Sequence, residues 1–217
     1  MTGLLIKDLK LLKVQRNFFL MFVAIAVWMQ TFMDGVSFII GYMTFCGSMA
    51  VLNTISYDEY DNGNAFLFSL PISRKGYVLE KYAFGFIIGG AAWLLAVIAS
   101  IAISMVKHSF STKDTVIVAL MYLALLAIIL SIMLPVQLKF GGEKRVYVII
   151  GIGGIAGIIG FITVGIARRL NIDFSLILSR LSTISSGVMV LAMIAIAALA
   201  VLISYRISVS IMNKKEF

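Results

Sequence analysis

TVIVALMYLALLAIILSIMLPVQL, residues 115–138, runs from Asp114 to Lys139 without one charged side chain. At about 1.5 Å rise per residue a helix of that length covers the roughly 30 Å hydrocarbon core of a bilayer. Five further stretches are equally free of Asp, Glu, Lys and Arg: Asn17 to Met33, Gly35 to Tyr57, Tyr82 to Val106, Val146 to Ala167 and Leu181 to Tyr205. Together they predict an all-α integral membrane protein of six transmembrane helices, 1–217 forming a single domain. The composition excludes the soluble alternative: 61% of residues are hydrophobic and 13% charged. A soluble fold of 217 residues has too little interior to hide that much apolar surface. The first stretch is the shortest. With Asp34 as the only charge between the first two runs, they form either a tight hairpin of spans or a pair that stops short of the far side.

The eighteen basic against ten acidic residues fall in short clusters between the apolar runs, which is the pattern of topology signals and anionic-lipid contacts rather than of nucleic-acid binding. Most of them gather on one side if the N-terminus is cytoplasmic, whereas Lys107, Lys113, Arg168, Arg169 and Arg180 fall on the other. The positive-inside rule therefore expects both termini in the cytoplasm, with three positives in the last outer loop running against it. Residues 1–16 read as an interfacial helix: at 100° per residue Lys7, Lys10 and Lys13 form one stripe, and Leu4, Leu5, Leu9, Leu11 and Leu12 cover much of the rest. Ala24-Ile25-Ala26 resembles a signal-peptide cleavage site, but the apolar stretch before it is short and continues well beyond it.

Signs of catalysis are thin. No G-x-x-x-x-G-K-[ST] loop is present, so any nucleotide would have to be hydrolysed by a separate subunit. His108 is the only histidine and has no neighbouring His or Cys with which to build a metal site. Asp58, Glu59, Asp61 and Gly63 imitate the start of a calcium loop, yet Tyr60 occupies a ligand position and Ser69 stands where a bidentate Glu is needed. Cys46 lies in an apolar run and has no second cysteine to pair with. The spans also lack the midplane carboxylates, His or basic groups typical of ion-coupled carriers, so a transporter of this kind would draw energy from elsewhere. Gly85 with Gly89, and Gly153 with Gly157, are spaced G-x-x-x-G and favour close helix packing. Pro135 is expected to end or kink the fourth span.

Segment 57–81 carries the most information. It holds Asp58 and Glu59, a break at Gly63, an apolar turn with Phe66, Leu67, Phe68 and Leu70, a stop at Pro71, and Ser73 as N-cap of the next helix. Acids at the C-terminal end of a helix oppose its dipole, so something other than helix stability keeps them there. A short helix with such a face wants an apolar groove; the alternative is that it dips into lipid at the interface.

This segment resembles the loop between the second and third spans of type 2 ABC exporter permeases (the ABC-2 superfamily): acidic Asp58 and Glu59, Gly63, the Ser69 to Arg74 core, then Lys81-Tyr82. Leu134-Pro135, Lys139-Phe140-Gly141 and Glu143-Lys144-Arg145 are similar to the pattern after that family's fourth span, with 139–145 as a second cytoplasmic loop. The resemblance implies a plasma-membrane permease with no catalytic site or cofactor of its own, paired with a second copy or a related permease and with two ABC ATP-binding subunits that hold ATP and Mg. It implies that Asn62 to Leu70 is a coupling helix seated in the ATPase, framed by Asp58, Glu59 and Arg74, and that 1–16 is an elbow helix. Within the family the chain looks most like small Gram-positive permeases that expel antimicrobial or amphipathic peptides, including phenol-soluble modulins. Uncharged spans with twelve Met residues suit such an apolar or amphipathic cargo. The competing readings are a membrane immunity or sensor-associated scaffold, and a lipid-modifying enzyme.

Overall fold

The computed structural model describes residues 2–32, 36–60, 63–107, 112–169 and 185–215; within these, a minority of side chains are left aside. Every regular element among the described residues is a helix: α1 (Thr2–Val14), α2 (Arg16–Phe32), α3 (Val36–Glu59), α4 (Gly63–Ser69), α5 (Arg74–Lys107), α6 (Thr112–Arg169) and α7 (Ser186–Lys214). Four segments are long and apolar enough to cross a membrane: Ser37–Glu59, Arg74–Ile103, Thr115–Gly142 and Ser186–Lys214. A fifth is added if α1 and α2, bent by 62°, count as one broken span. The expected first span, in α2, is thus not long enough alone. The expected fifth lies in the helical 142–169. His108, Arg180 and Asn62 lie outside the described residues, as do the side chains of Glu143, Arg145, Arg168 and Arg169.

The core is a seam between α3, α5 and α6. Leu126, Leu130, Leu134 and Leu138 repeat every fourth residue on one face of α6, and all four are buried against Val51, Leu52 and Ile55 of α3 and Val78, Tyr82 and Phe84 of α5. Lipid is as apolar as leucine, so this seam gains its stability from close van der Waals contact rather than from escape from water. Gly85 and Gly89 permit that contact. A methyl group at Gly89 would stand 2.6 Å from Leu126 Cδ1 and one at Gly85 3.0 Å from Leu130 Cδ2. Gly151, Gly154, Gly157 and Gly160 behave differently: a Cβ at any of them meets open space, so this smooth face does not pack within the bundle.

Pro135 neither ends nor breaks the helix, contrary to expectation. α6 continues through it to Gly141, where φ 74, ψ 177 interrupts the helix at a single residue. The segment 139–145 is therefore helical on both sides of one glycine rather than an open loop. Helix propagation past Pro135 has a local reason. The proline cannot donate to the Ser131 carbonyl one turn back, and Ser204 Oγ of α7 donates to that carbonyl at 2.5 Å. Tyr82 of α5 in turn has its hydroxyl 2.5 Å from Ser204 Oγ and 3.0 Å from Ser208 Oγ. A backbone defect in α6 thereby fastens α5 and α7 to it.

Ser204→Ala should consequently destabilise the protein by about 1–3 kcal/mol, the cost of a buried carbonyl left unpaired. In a Pro135→Ala background, where residue 135 regains its N–H, the same change should cost distinctly less. Thermal unfolding of the four proteins in one detergent checks this, and equal costs in both backgrounds would refute the link.

Candidate functional site

The chain's charged chemistry is concentrated at the end of the bundle where α1, the C-terminal ends of α3 and α7, α4 and the start of α5 meet. α3 does not stop where its apolar run stops. It continues through Asp58 and Glu59, and these neighbouring acids, pointing different ways, each collect a set of partners.

Asp58 faces inward. Its Oδ2 lies 2.8 Å from the Lys81 ammonium and accepts from the Tyr77 hydroxyl at 3.0 Å, while its Oδ1 accepts from Lys7 of α1. Lys81 is itself fully buried, 2.5 Å from Asp8 Oδ2 and 3.2 Å from Thr54 Oγ1. Asp8 is also wholly buried and lies 3.2 Å from Lys7. Two cations and two carboxylates thus alternate across α1, α3 and α5, the arrangement in which buried charges neutralise one another. Glu80 stands beside them, buried, with neither carboxylate oxygen hydrogen-bonded and Lys81 at 3.8 Å as its near cation.

Glu59 faces the other way. Its Oε2 accepts from the Gly142 amide at 3.0 Å and from Gln137 Nε2 at 3.3 Å, and its Oε1 from Lys215 at 3.1 Å. The Gly142 amide is available because Gly141 turns it out of the helical ladder. Lys215 also donates to the Leu138 carbonyl at 3.3 Å. Glycine is required at the break, since L side chains rarely adopt that positive φ and a Cβ would sit 3.3 Å from Glu59 Oε2. The acids that oppose the α3 dipole are held by tertiary partners.

α4 rests on this platform. Gly63 begins it close to α3, where a Cβ would meet the Asp58 carbonyl at 2.8 Å. Leu67, 7% exposed, anchors it in the core, and Phe68 stacks edge-on to Tyr77 with ring centroids 5.5 Å apart. Phe66 and Leu70 point away, 72% and 46% exposed. Pro71 is exposed beyond its end. Ser73 caps α5 as its position in the sequence suggests, its Oγ accepting from the Gly76 amide at 3.1 Å. Arg74 reaches across the bundle, where its Nη1 donates to the Met212 and Asn213 carbonyls, both at 2.8 Å, and so caps the C-terminus of α7.

The expected site residues therefore divide. Asp58, Glu59, Leu67, Ser73, Arg74, Lys7 and Gly141 are joined to one another through the framework of this end. Phe66, Leu70, Lys10, Lys13, Lys139 and Lys144 are presented outward. Sequence reasoning missed Asp8, Tyr77, Glu80, Gln137 and Lys215. The signal for Asp8 was available: at 100° per residue it falls in the middle of the face formed by Leu4, Leu5, Leu11 and Leu12, where an acid has no place unless a cation meets it. Among the described residues no cluster of His, Cys, Asp or Glu is arranged to hold a metal ion.

Compared with known protein families, residues 3–213 match the family described as ABC-2 family transporter protein. No curated protein and no solved structure matches the chain.

Lys81→Met should cost about 3–5 kcal/mol, because it leaves Asp8 and Asp58 sharing a buried site with only Lys7 between them. Adding Asp8→Asn should recover part of that loss. Melting temperatures in detergent measure both, and a Lys81→Met protein as stable as wild type would show that the network holds nothing together.

Proposed function

The chain belongs to the ABC-2 family of transporter proteins, which makes it a multi-pass membrane protein and a membrane subunit of an ABC transporter. From that premise we propose that it is one half of the permease of an ATP-driven exporter, with α4 as the coupling helix that receives the work of a separate ATP-binding subunit. The observation that carries this reading is the placement of α4. It is a seven-residue helix fixed from below by Leu67 and Phe68 and offering Phe66 and Leu70 to whatever lies beyond the bundle. Fixed anchors below and free apolar side chains above suit an element that is pushed.

The assembly would hold two permease chains, identical or related, and two ATP-binding subunits that carry ATP and Mg. The end bearing α4 and both chain termini would face the cytoplasm of the plasma membrane, in keeping with the positive-inside rule. Residues 142–169 would supply a further span, α1 would lie in the interface, and α2 would complete six spans. Closure of the ATPase dimer would then bias the spans between inward-open and outward-open arrangements, because the partner binds the two differently. The expected cargo is apolar or amphipathic, such as an antimicrobial or cytolytic peptide, since the spans offer an uncharged and adaptable lining.

Copurification from the native host in mild detergent should bring an ATP-binding subunit with this chain in roughly equal amount. Phe66→Asp combined with Leu70→Asp should abolish transport-linked ATP hydrolysis while leaving membrane insertion intact, because both side chains point out of the fold. Normal hydrolysis and transport in that double variant would overturn the assignment of α4.

A further inference from the structure

A cavity of about 660 Å³ opens beside α4 at the same end of the protein. Its walls are the start of α1 with Gly3, Leu4 and Lys7, the end of α3, and the apolar side chains Phe66, Leu67 and Leu70. Its volume falls within the range of small-molecule pockets, roughly 300–1,000 Å³. Its chemistry does not suit one. A small ligand is oriented by polar groups free to converge on it, and the two charged groups here, Lys7 and Asp58, are already engaged with each other. What remains is a greasy recess next to the two exposed side chains of α4.

The surface around it is one-sided in charge. Among the described side chains the carboxylates Asp8, Asp58 and Glu80 are buried and Glu59 is half-buried, whereas Lys10, Lys13, Arg16, Lys75 and Lys214 are exposed. The internal network consumes the acids and leaves cations facing outward. Lys10 follows cavity-lining Lys7 by one helical turn on α1, and Lys75 adjoins cavity-lining Gly76. A partner approaching this recess meets apolar walls in a cationic rim.

We infer that this recess is a second contact point for the ATP-binding subunit, which fills it with an apolar side chain flanked by carboxylates that face Lys10 and Lys75. The inference rests on the reading of α4 as the coupling helix, and it makes the docking reciprocal: α4 enters the partner, and the partner enters the gap between α4 and α1. Complementary charge of this kind sets orientation and speeds encounter, while the buried knob supplies the hold.

Two variants separate the parts. Gly3→Phe can fill the recess from its rim without crowding the fold, because a Cβ at Gly3 meets nothing within 4 Å. Lys10→Glu with Lys75→Glu reverses the rim at two exposed positions. In detergent-purified complexes the charge variant should retain ATPase about 10-fold less well at low salt, as expected for two attractive contacts turned repulsive, and should lose most of the salt dependence. Gly3→Phe should also release the ATPase, with salt dependence unchanged. Melting temperatures equal to wild type confirm that both variants are folded.

If both variants keep the ATPase as wild type does while Phe66→Asp with Leu70→Asp loses it, the recess is not a contact and the inference falls, although the reading of α4 survives. If the charge variant binds the ATPase normally but no longer prefers phosphatidylglycerol over phosphatidylcholine vesicles, the rim serves lipid and the inference again falls. If wild-type protein itself brings no ATPase, the reading of α4 fails first.

Discussion

Two adjacent carboxylates at the end of one helix hold this molecule's charged end in register. Asp58 reaches α1 and α5 through Lys7, Lys81 and Tyr77, and Glu59 reaches α6 and the segment after α7 through Gln137, the Gly142 amide and Lys215. At the C-terminus of a helix both acids are unfavourable to the helix itself. They are tolerable because each has a full set of opposite partners. The same dependence works in reverse, since Lys81, fully buried, would be far costlier without Asp58 and Asp8. Neither helix end nor cation is stable alone.

The irregularities of α6 belong to the same arrangement. Pro135 frees the carbonyl of Ser131, and Ser204 uses it to bring α7 against α6. Gly141 frees the amide of residue 142, and Glu59 uses it to bring α3 against α6. In the apolar interior a backbone group without a partner costs several kcal/mol, so each defect is tolerated only where another helix supplies the missing hydrogen bond. The bundle is thereby fastened at points where its longest helix departs from regularity. Smooth packing of Gly85 and Gly89 against Leu126 and Leu130 holds the stretches between.

The sequence made the helical class legible, because uncharged runs of span length admit few other structures in lipid. The cap at Ser73, the platform for α4 and the G-x-x-x-G contact at Gly85 and Gly89 were legible too, each resting on a local rule. The helix ends were not. Apolar runs stop at Tyr57 and begin again at Tyr82, yet α3 runs on to Glu59 and α5 starts at Arg74, because charged residues continue a helix wherever tertiary partners receive them. No periodicity reveals which lysine of one helix will meet which acid of another. Pro135 was misread for a similar reason: the hydroxyl that rescues its helix comes from a residue far along the chain. The break at Gly141 hid in a Gly-Gly pair, and only the backbone shows which of the two carries the positive φ.

A membrane subunit whose spans hold almost no charge, and whose charges are packed into one end, separates the place where energy enters from the path that cargo takes. Ion-coupled carriers place titratable groups at the midplane because the ion itself must bind there. Where work instead arrives as a push from a partner, the requirement is a stiff receiving end joined to several spans at once. Alternating buried ion pairs suit this, since displacing one helix separates charges in a medium of low dielectric and the resistance is steep. A push on α4 under the proposed reading reaches α3 through Gly63 and Leu67, α1 and α5 through Asp58, and α6 and α7 through Glu59 and Arg74. Phe66 and Leu70 can stay exposed only because a partner covers them during work, and Leu67 can stay buried only if α4 does not peel away as it is driven. The alternation of outward and inward side chains on a seven-residue helix is what lets it be gripped from one side and held from the other.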